Sequence, residues 1–228
     1  MTRQTRITIY LSLITLGLAV LGFLYWDIYQ YRRVLAVDPH LEYWLHVPGR
    51  CSAGESCPVF VFVHGTGGSG REYIKTWRGY ADREGFILIC PTFGDGYQRL
   101  ANTAVVGLTA ILDEVGQSYP VPARIILSGF SGGAQFAHRF AFAHPERVQA
   151  VAVHSAGSYD EPKPGAAYIP FLVTVGLDDV ERVDLARWFA DALEAAGYTV
   201  TRLEFEHLGH RLSEQAIQAT VDFIRRAR

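Results

Sequence analysis

The sequence has few of the features that would assign it to a specialised class of protein. Charged residues make up 19% of the chain and the formal net charge is −2, which gives no reason to expect nucleic acid as a partner. There is no internal repeat or low-complexity tract, and no cysteine–histidine group has zinc-site spacing. We therefore predict neither a metal nor another cofactor. The 228 residues, 49% of them hydrophobic, suffice for one α/β domain with a sizeable core.

The longest apolar run lies near the N-terminus. It extends for about 20 residues without a charge, from Ile7 to Trp26, which is long enough for a helix to cross a bilayer. Arg3 and Arg6 precede it, and it ends in bulky side chains instead of the small residues of a signal-peptide cleavage site. A buried core helix is disfavoured because the run has no polar face. We predict an uncleaved membrane anchor, with its flanks, over residues 1–33.

Two observations bear on the compartment of the remaining chain. A short basic leader before a single anchor tends to stay in the cytoplasm, which would put the rest of the chain on the periplasmic or extracellular side. Cys51 and Cys57 bracket a small polar loop that a disulfide could close in an oxidising compartment, whereas Cys90 ends an apolar run and suits burial. The alternative, three unpaired thiols in a reducing compartment, stays open.

After a predicted linker over residues 34–40, strand patterns alternate with helical patterns to the C-terminus. Val59–Val63 is a continuous run of β-branched and aromatic residues, typical of a strand buried on both faces of a parallel sheet. The predicted strands lie near residues 41–47, 59–63, 86–90, 124–127, 148–153, 171–175 and 199–205. This alternation predicts one α/β domain over residues 41–228, built on a doubly wound, mostly parallel sheet.

One segment of this domain contains a G-x-S-x-G motif, Gly129-Phe130-Ser131-Gly132-Gly133. The motif follows an apolar strand pattern and precedes a helical one, which is the context of a nucleophile elbow. Glycine suits the flanking positions because side chains there would collide with neighbouring backbone in so tight a turn. The motif predicts that Ser131 stands above the carboxyl edge of the sheet as a nucleophile.

A serine hydroxyl becomes a good nucleophile when a neighbouring base takes its proton and an acid orients that base. On this kind of scaffold the acid and then the histidine follow the serine along the chain. Asp178 and Asp179 come just past a buried strand, and we favour Asp179 because it stands at the turn. His207 and His210 come just past the next strand, and we favour His210 as general base because the preceding glycine lets the loop fold back.

The oxyanion of acyl-transfer chemistry needs preorganised donors. The amide of Gly132, directly after the candidate nucleophile, is one expected donor. The other is expected from the loop His64-Gly65-Thr66-Gly67-Gly68, where we predict the amide of Thr66. A phosphate-binding turn is the alternative interpretation of this loop. The loop in this sequence, however, lacks the Lys-Ser/Thr ending of a P-loop and the spacing of a dinucleotide fingerprint, which disfavours that interpretation.

These residues together resemble the α/β-hydrolase superfamily, from about Leu41 to the C-terminus. Within that superfamily, the loop at residues 64–68 and the run Ala81-Asp82-Arg83-Glu84-Gly85-Phe86-Ile87-Leu88-Ile89-Cys90-Pro91 are similar to polyhydroxybutyrate depolymerases and feruloyl esterase-like enzymes. The resemblance implies a triad of Ser131, Asp179 and His210, with Thr66 and Gly132 as the oxyanion hole.

Taking the resemblance together with the predicted anchor, we expect a membrane-anchored serine hydrolase acting on a small-molecule or lipid-like carboxylic ester. An acyltransferase or a serine peptidase would use the same residues. A non-catalytic scaffold that keeps the hydrolase fold is the alternative from another class of function. Compared with many such esterases, this chain has a shorter domain and adds the predicted anchor.

Overall fold

The computed structural model describes residues 3–52, 55–100 and 102–227. The chain divides into two compact units, Met1–Arg32 and Arg33–Arg228. Helix α1, Arg3–Tyr29, makes up most of the first unit. Its large apolar side chains that are exposed to solvent are Tyr10, Leu13, Ile14, Leu16, Leu18, Val20, Leu21, Tyr25 and Trp26.

The apolar run near the N-terminus is predicted to form a helix that crosses a membrane, and the two parts of this prediction have different outcomes. Helix α1 covers the whole run from Ile7 to Trp26. Within the described residues, however, no helix combines the length and the apolar character that crossing a bilayer requires. The membrane-spanning character predicted for this run is therefore not found there. Met1 and Arg228, the outer ends of the predicted domains, lie outside the described residues.

The second unit is an eight-stranded sheet with helices in the connections between its strands. The strands are β1 (Arg32–Leu35), β2 (Asp38–His46), β3 (Val59–Val63), β4 (Ile87–Thr92), β5 (Ile125–Phe130), β6 (Val148–His154), β7 (Phe171–Gly176) and β8 (Val200–Phe205). The helices are α2 (Gly49–Ser52), α3 (Gly70–Glu84), α4 (Asn102–Gly116), α5 (Gly132–Ala143), α6 (Val180–Ala195) and α7 (Glu214–Arg226). Short 3₁₀ turns cover Tyr97–Arg99, Pro145–Arg147 and Pro164–Ala166.

The strand order is β1-β2-β4-β3-β5-β6-β7-β8, and it reverses direction between β3 and β5. Strand β2 runs antiparallel to β4, whereas the pairs from β4 through β8 are parallel. Open sheets of this kind place their sites where the order reverses, beyond the carboxyl ends of the strands. The loops after β3, β5, β7 and β8 all leave from that edge. The predicted α/β class and mostly parallel sheet are confirmed.

The stretch at residues 34–40, predicted as a linker, is part of the sheet instead. It contributes the end of β1 and the start of β2. The sequence pattern indicates a linker because hydrophobic and polar residues do not alternate regularly here. Most of these residues are exposed even within the two strands. Strand β2 gains its order from pairing with β4, for example Trp44 opposite Cys90, and this pairing is not encoded locally.

The sheet whose carboxyl edge bears these loops is packed on an apolar core. All five residues of β3 are fully buried, as a strand covered by helices on a parallel sheet should be. Helix α7, which follows the last loop, begins at the N-cap Ser213, whose hydroxyl accepts a 3.1 Å bond from the Ala216 amide. Cys51 and Cys57 form the disulfide that the sequence left open, and Cys90 is a buried free thiol.

Candidate active site

Ser131 lies in a strained turn between β5 and α5. Its backbone angles are φ 55° and ψ −114°, outside the regions that serine ordinarily adopts. The Ser131 amide donates a 2.8 Å hydrogen bond to the carbonyl of His154, which fixes the turn to the neighbouring strand. A strained residue held by its surroundings is characteristic of functional sites, and a nucleophile elbow has this form.

The glycines on either side make this turn possible. A Cβ on Gly129 would come within 2.2 Å of the Gly133 carbonyl carbon, and a Cβ on Gly133 would come within 2.0 Å of the Val63 oxygen. Both distances are far shorter than any real contact between carbon and backbone. Helix α5 can therefore begin directly against the end of β3, which brings Ser131 beside the loop that follows β3.

The three side chains predicted as a triad lie in one hydrogen-bonded row. Nε2 of His210 is 3.0 Å from Oγ of Ser131, and Nδ1 of His210 is 2.7 Å from Oδ2 of Asp179. The Asp179 side chain is 3% exposed and the His210 side chain 33% exposed, so the row runs from the interior outwards. The His210 ring also packs on Phe130, with 4.7 Å between ring centroids.

The two residues that the sequence kept as alternatives lie elsewhere. Asp178 is exposed, and its amide donates a 3.0 Å hydrogen bond to the Leu208 carbonyl. His207 is exposed and has a left-handed backbone with φ 55°, so it forms the turn that leads the chain back towards the site. The structure thus brings Asp179 and His210 to Ser131, and neither Asp178 nor His207.

Arg182 is a member of the site that sequence reasoning missed. Its Nη1 donates a 2.9 Å hydrogen bond to Oδ1 of Asp179, the carboxylate oxygen that His210 does not use. The Arg182 amide donates to the Asp179 carbonyl at 2.8 Å. The spacing i, i+3 at the start of α6 was the available signal, because such pairs are neighbours on a helix.

The predicted oxyanion loop lies against the start of α5. A Cβ on Gly132 would be only 2.6 Å from Oγ1 of Thr66, so the two residues are adjacent. Across the described ranges, neither the Thr66 amide nor the Gly132 amide donates a hydrogen bond to another residue. Two such unused donors beside a candidate nucleophile can stabilise an oxyanion.

His64 holds this loop in place instead of taking part in the row. Its Nδ1 donates to the Gly65 carbonyl at 2.7 Å, and its Nε2 accepts from the Phe93 amide at 3.0 Å. Burial lowers the pKa of His64, which matches a neutral ring with one donor and one acceptor nitrogen. Burial also lowers the pKa of His138 to about 4 and that of His154 to about 3.

Metal chemistry has no evident site in the described part of the chain. No group of three or more histidine, cysteine, aspartate or glutamate side chains is arranged there to hold an ion. The groups that the site presents are the Ser131 hydroxyl, the His210 imidazole, the Asp179 carboxylate and the Thr66 and Gly132 amides.

No protein-family model matches the sequence, and no curated protein matches it. Solved structures do match the coordinates. A thermostable esterase aligns with a TM-score of 0.73 at 19% identity, over 88% of this chain and 64% of its own. A ferulic acid esterase aligns with a TM-score of 0.69 at 17% identity, over 82% and 93%. A carboxylesterase from Bacillus cereus aligns with a TM-score of 0.64 at 17% identity, over 84% and 97%.

The second unit has the α/β-hydrolase fold. The resemblance drawn from the motifs is confirmed at this level, and the solved structures that share the fold include several esterases. This chain spans less than two thirds of the length of the thermostable esterase. In this α/β-hydrolase unit the candidate nucleophile, acid and histidine follow one another along the chain in the order expected for the fold.

Proposed function

We propose that this protein is a serine hydrolase that cleaves carboxylic esters, with Ser131 as nucleophile, His210 as general base and Asp179 as the acid that orients it. The observation that carries the proposal is the continuous row of hydrogen bonds from Asp179 through His210 to Ser131. The esterases among the solved structures with this fold support an ester as the substrate. The substrate would be a small-molecule or lipid-like ester.

The first half of the reaction follows from this geometry. His210 Nε2 takes the proton of Ser131 Oγ as the oxygen attacks the ester carbonyl, and the carbonyl oxygen gains negative charge. The Thr66 and Gly132 amides donate to that oxygen, an interaction that strengthens as the charge develops. Asp179 holds the Nδ1–H of His210 and stabilises the imidazolium. The imidazolium then gives its proton to the leaving alcohol, and an acyl-enzyme remains.

The second half repeats these steps with water. His210 takes a proton from a water molecule, which attacks the acyl carbonyl, and the same amides stabilise the second oxyanion. When that intermediate collapses, the proton returns to Ser131 Oγ and the carboxylic acid leaves. No step requires a metal or an organic cofactor.

A fluorophosphonate probe tests the nucleophile directly, because it reacts with activated serines. The full chain should be labelled, and the Ser131→Ala variant should not. Ser118→Ala is the matched control, since Ser118 is an exposed residue outside the site, and it should be labelled like the parent. A panel of p-nitrophenyl esters of increasing acyl length should be hydrolysed by the parent and by Ser118→Ala only. Absence of labelling and of hydrolysis in the parent would favour the non-catalytic scaffold.

Acyl transfer and peptide hydrolysis are the alternatives on the same residues. Adding an alcohol acceptor to the ester assay distinguishes transfer, because the new ester then appears in place of part of the acid. A peptidase would release an amine from the corresponding anilides at a rate comparable with the ester rate. We expect hydrolysis of esters to dominate.

We further propose that helix α1 attaches the protein to a membrane and that the α/β-hydrolase unit lies outside the cytoplasm. The uncharged run of this helix and its exposed apolar side chains support attachment, since an apolar surface of this size needs a partner. The Cys51–Cys57 disulfide supports an oxidising compartment. In flotation with lipid vesicles, the full chain should float. A Leu18→Arg/Leu21→Arg variant should stay in solution, and equal flotation of the two would contradict the proposal.

A further inference from the structure

Gln98 lies at the rim of the site, in the 3₁₀ turn that follows β4. Its side-chain amide is 2.8 Å from Oγ1 of Thr66, in the oxyanion loop. Tyr97, the residue before Gln98, donates a 2.6 Å bond from its hydroxyl to the carbonyl of His64, at the start of the same loop. Two neighbouring residues of the turn therefore each hydrogen-bond the oxyanion loop, Gln98 through Thr66 and Tyr97 through His64.

The two bonds differ in the group that donates. A carbonyl oxygen only accepts, so the hydroxyl proton of Tyr97 is committed to His64. The bond from Gln98 uses the NH₂ group of its side chain, and the hydroxyl oxygen of Thr66 accepts it. A side chain without a donor at position 98 cannot form this bond.

The backbone of the same turn is anchored to the helix that follows the nucleophile. Arg139, on α5, donates from Nη1 to the Gln98 carbonyl at 2.6 Å. The same guanidinium donates to Asp160 at 2.9 Å and to Ser158 at 3.1 Å. Arg139 is 15% exposed, so these bonds lie partly away from water. The turn that carries Gln98 is thus fixed to the rigid element that also positions Ser131.

Thr66, Tyr97 and Gln98 all lie beside Gly132, whose amide is the second expected oxyanion donor. A Cβ on Gly132 would lie 2.6 Å from Oγ1 of Thr66, 2.8 Å from the Tyr97 hydroxyl and 3.0 Å from Cγ of Gln98. The two hydrogen-bonded contacts between the turn and the loop therefore form directly against the residue after the nucleophile. A shift of the oxyanion loop relative to Gly132 would break these contacts and the hydrogen bonds together.

We propose that Gln98 is a positioning residue, which holds the Thr66 amide and the Gly132 amide in register for one oxyanion through its bond to Thr66. The inference rests on the proposed function, because it concerns the same reaction. Gln98 does not act on the reacting atoms itself in this role. Its effect is to keep the loop after β3 at a fixed distance from the start of α5, and preorganised donors stabilise a transition state only when so held.

Kinetics of the full chain on p-nitrophenyl acetate test this role. Gln98→Met keeps the length of the side chain without the donor, and Gln117→Met is the control at an exposed glutamine far from the site. Gln98→Met should lower kcat by about 10-fold or more, since loss of one oxyanion donor costs about 100-fold or more. KM and the melting temperature should stay near the parent values. Gln117→Met should leave kcat unchanged.

Substitutions at Thr66 test whether the effect passes through the Gln98–Thr66 hydrogen bond. Thr66→Val removes the hydroxyl and should lower kcat by a similar factor, whereas Thr66→Ser keeps the hydroxyl and should retain most of the rate. The double variant Gln98→Met/Thr66→Val should lose little more than the worse single variant, because both substitutions break the same hydrogen bond. Unchanged kcat in Gln98→Met, a loss confined to KM, or fully multiplicative losses in the double variant would overturn the proposal.

Hydrogen exchange separates failure of this proposal from failure of the proposed function. The Gly68 amide bonds the Gly65 carbonyl at 2.9 Å within the oxyanion loop, so its exchange reports the order of the loop. Exchange in peptides covering residues 64–68 should be faster in Gln98→Met than in the parent and in Gln117→Met. Equal exchange would overturn the positioning role even in a protein without esterase activity. A parent that neither hydrolyses esters nor reacts with fluorophosphonate would overturn the proposed function alone.

Discussion

Asp179 and His210 are joined by a 2.7 Å contact between Oδ2 and Nδ1, and the other carboxylate oxygen of Asp179 accepts from Arg182 at 2.9 Å. Both oxygens of this buried acid are therefore occupied, and its orientation is fixed. Asp178, its neighbour in the chain, is exposed, and its backbone amide donates a hydrogen bond to the Leu208 carbonyl. Adjacent residues of the same type thus have different environments, which allows a paired test.

Replacing the two aspartates one at a time should separate them. Asp179→Asn should lower kcat by about 1,000-fold or more, because an amide no longer holds His210 in the tautomer that a general base requires. Asp178→Asn should change kcat by less than about 3-fold. Steady-state kinetics on p-nitrophenyl acetate measures both. Equal losses in the two variants would show that the acid has been assigned to the wrong position.

Because the nucleophile turn is closely packed, alanine substitutions at two glycines, one inside the turn and one outside it, should differ in their effect on stability. A Cβ on Gly133 would approach the Val63 and His64 carbonyl oxygens to 2.0 and 2.6 Å. Gly133→Ala should therefore lower the free energy of unfolding by about 1–3 kcal/mol or more, since both neighbours are backbone. Gly165→Ala is the control, because a Cβ there meets no heavy atom within 4 Å, and it should change stability by less than about 0.5 kcal/mol. Urea denaturation compares them, and equal stability of the two variants would contradict the prediction.

Stability should fall as the pH is lowered below about 6.5, the pKa of an unperturbed histidine. Burial lowers the pKa of His154 to about 3 and that of His138 to about 4 in the folded protein. The unfolded chain therefore binds protons that the folded chain does not, from about pH 6.5 downwards. Each histidine removes up to about 1.4 kcal/mol per pH unit in that window, and the full stability is present above it.

Urea denaturation between about pH 7 and pH 5 measures this dependence with little contribution from carboxylates, which titrate at lower pH. His154→Gln should show a shallower slope of unfolding free energy against pH than the parent, whatever its absolute stability. Ser118→Ala is the control, because it removes no titratable side chain and Ser118 is exposed, and its slope should match that of the parent. A His154→Gln slope as steep as the parent slope would contradict the prediction.

Because Cys51 and Cys57 form a disulfide, we expect a reductant to lower the stability of the protein. Replacing Cys51 and Cys57 together by serine should lower the free energy of unfolding by about 2 kcal/mol, because the bond closes a short loop. Dithiothreitol should destabilise the parent by a similar amount and leave the double variant unchanged. Destabilisation of the double variant by the reductant would show that the effect does not arise from this bond.

The sequence by itself determined the α/β class and the tight turn that holds Ser131, the candidate nucleophile. These features depend on contiguous residues: the apolar run of β3, the alternation of strands and helices, and the two glycines that a tight strand-to-helix turn requires. Local backbone sterics and the burial of neighbouring side chains decide them, so a short window of residues contains the information.

Only the tertiary structure decided which aspartate meets which histidine, and it alone revealed Arg139 and Gln98. Ser131 and His210 lie 79 residues apart, and whether Asp178 or Asp179 faces the histidine depends on how β7 and β8 pair. Strand β2 likewise joins the sheet through residues far away in the chain, because its Glu42–His46 segment pairs with β4. Such contacts join distant segments through the packing of the whole sheet, and the pattern within any one segment does not encode them.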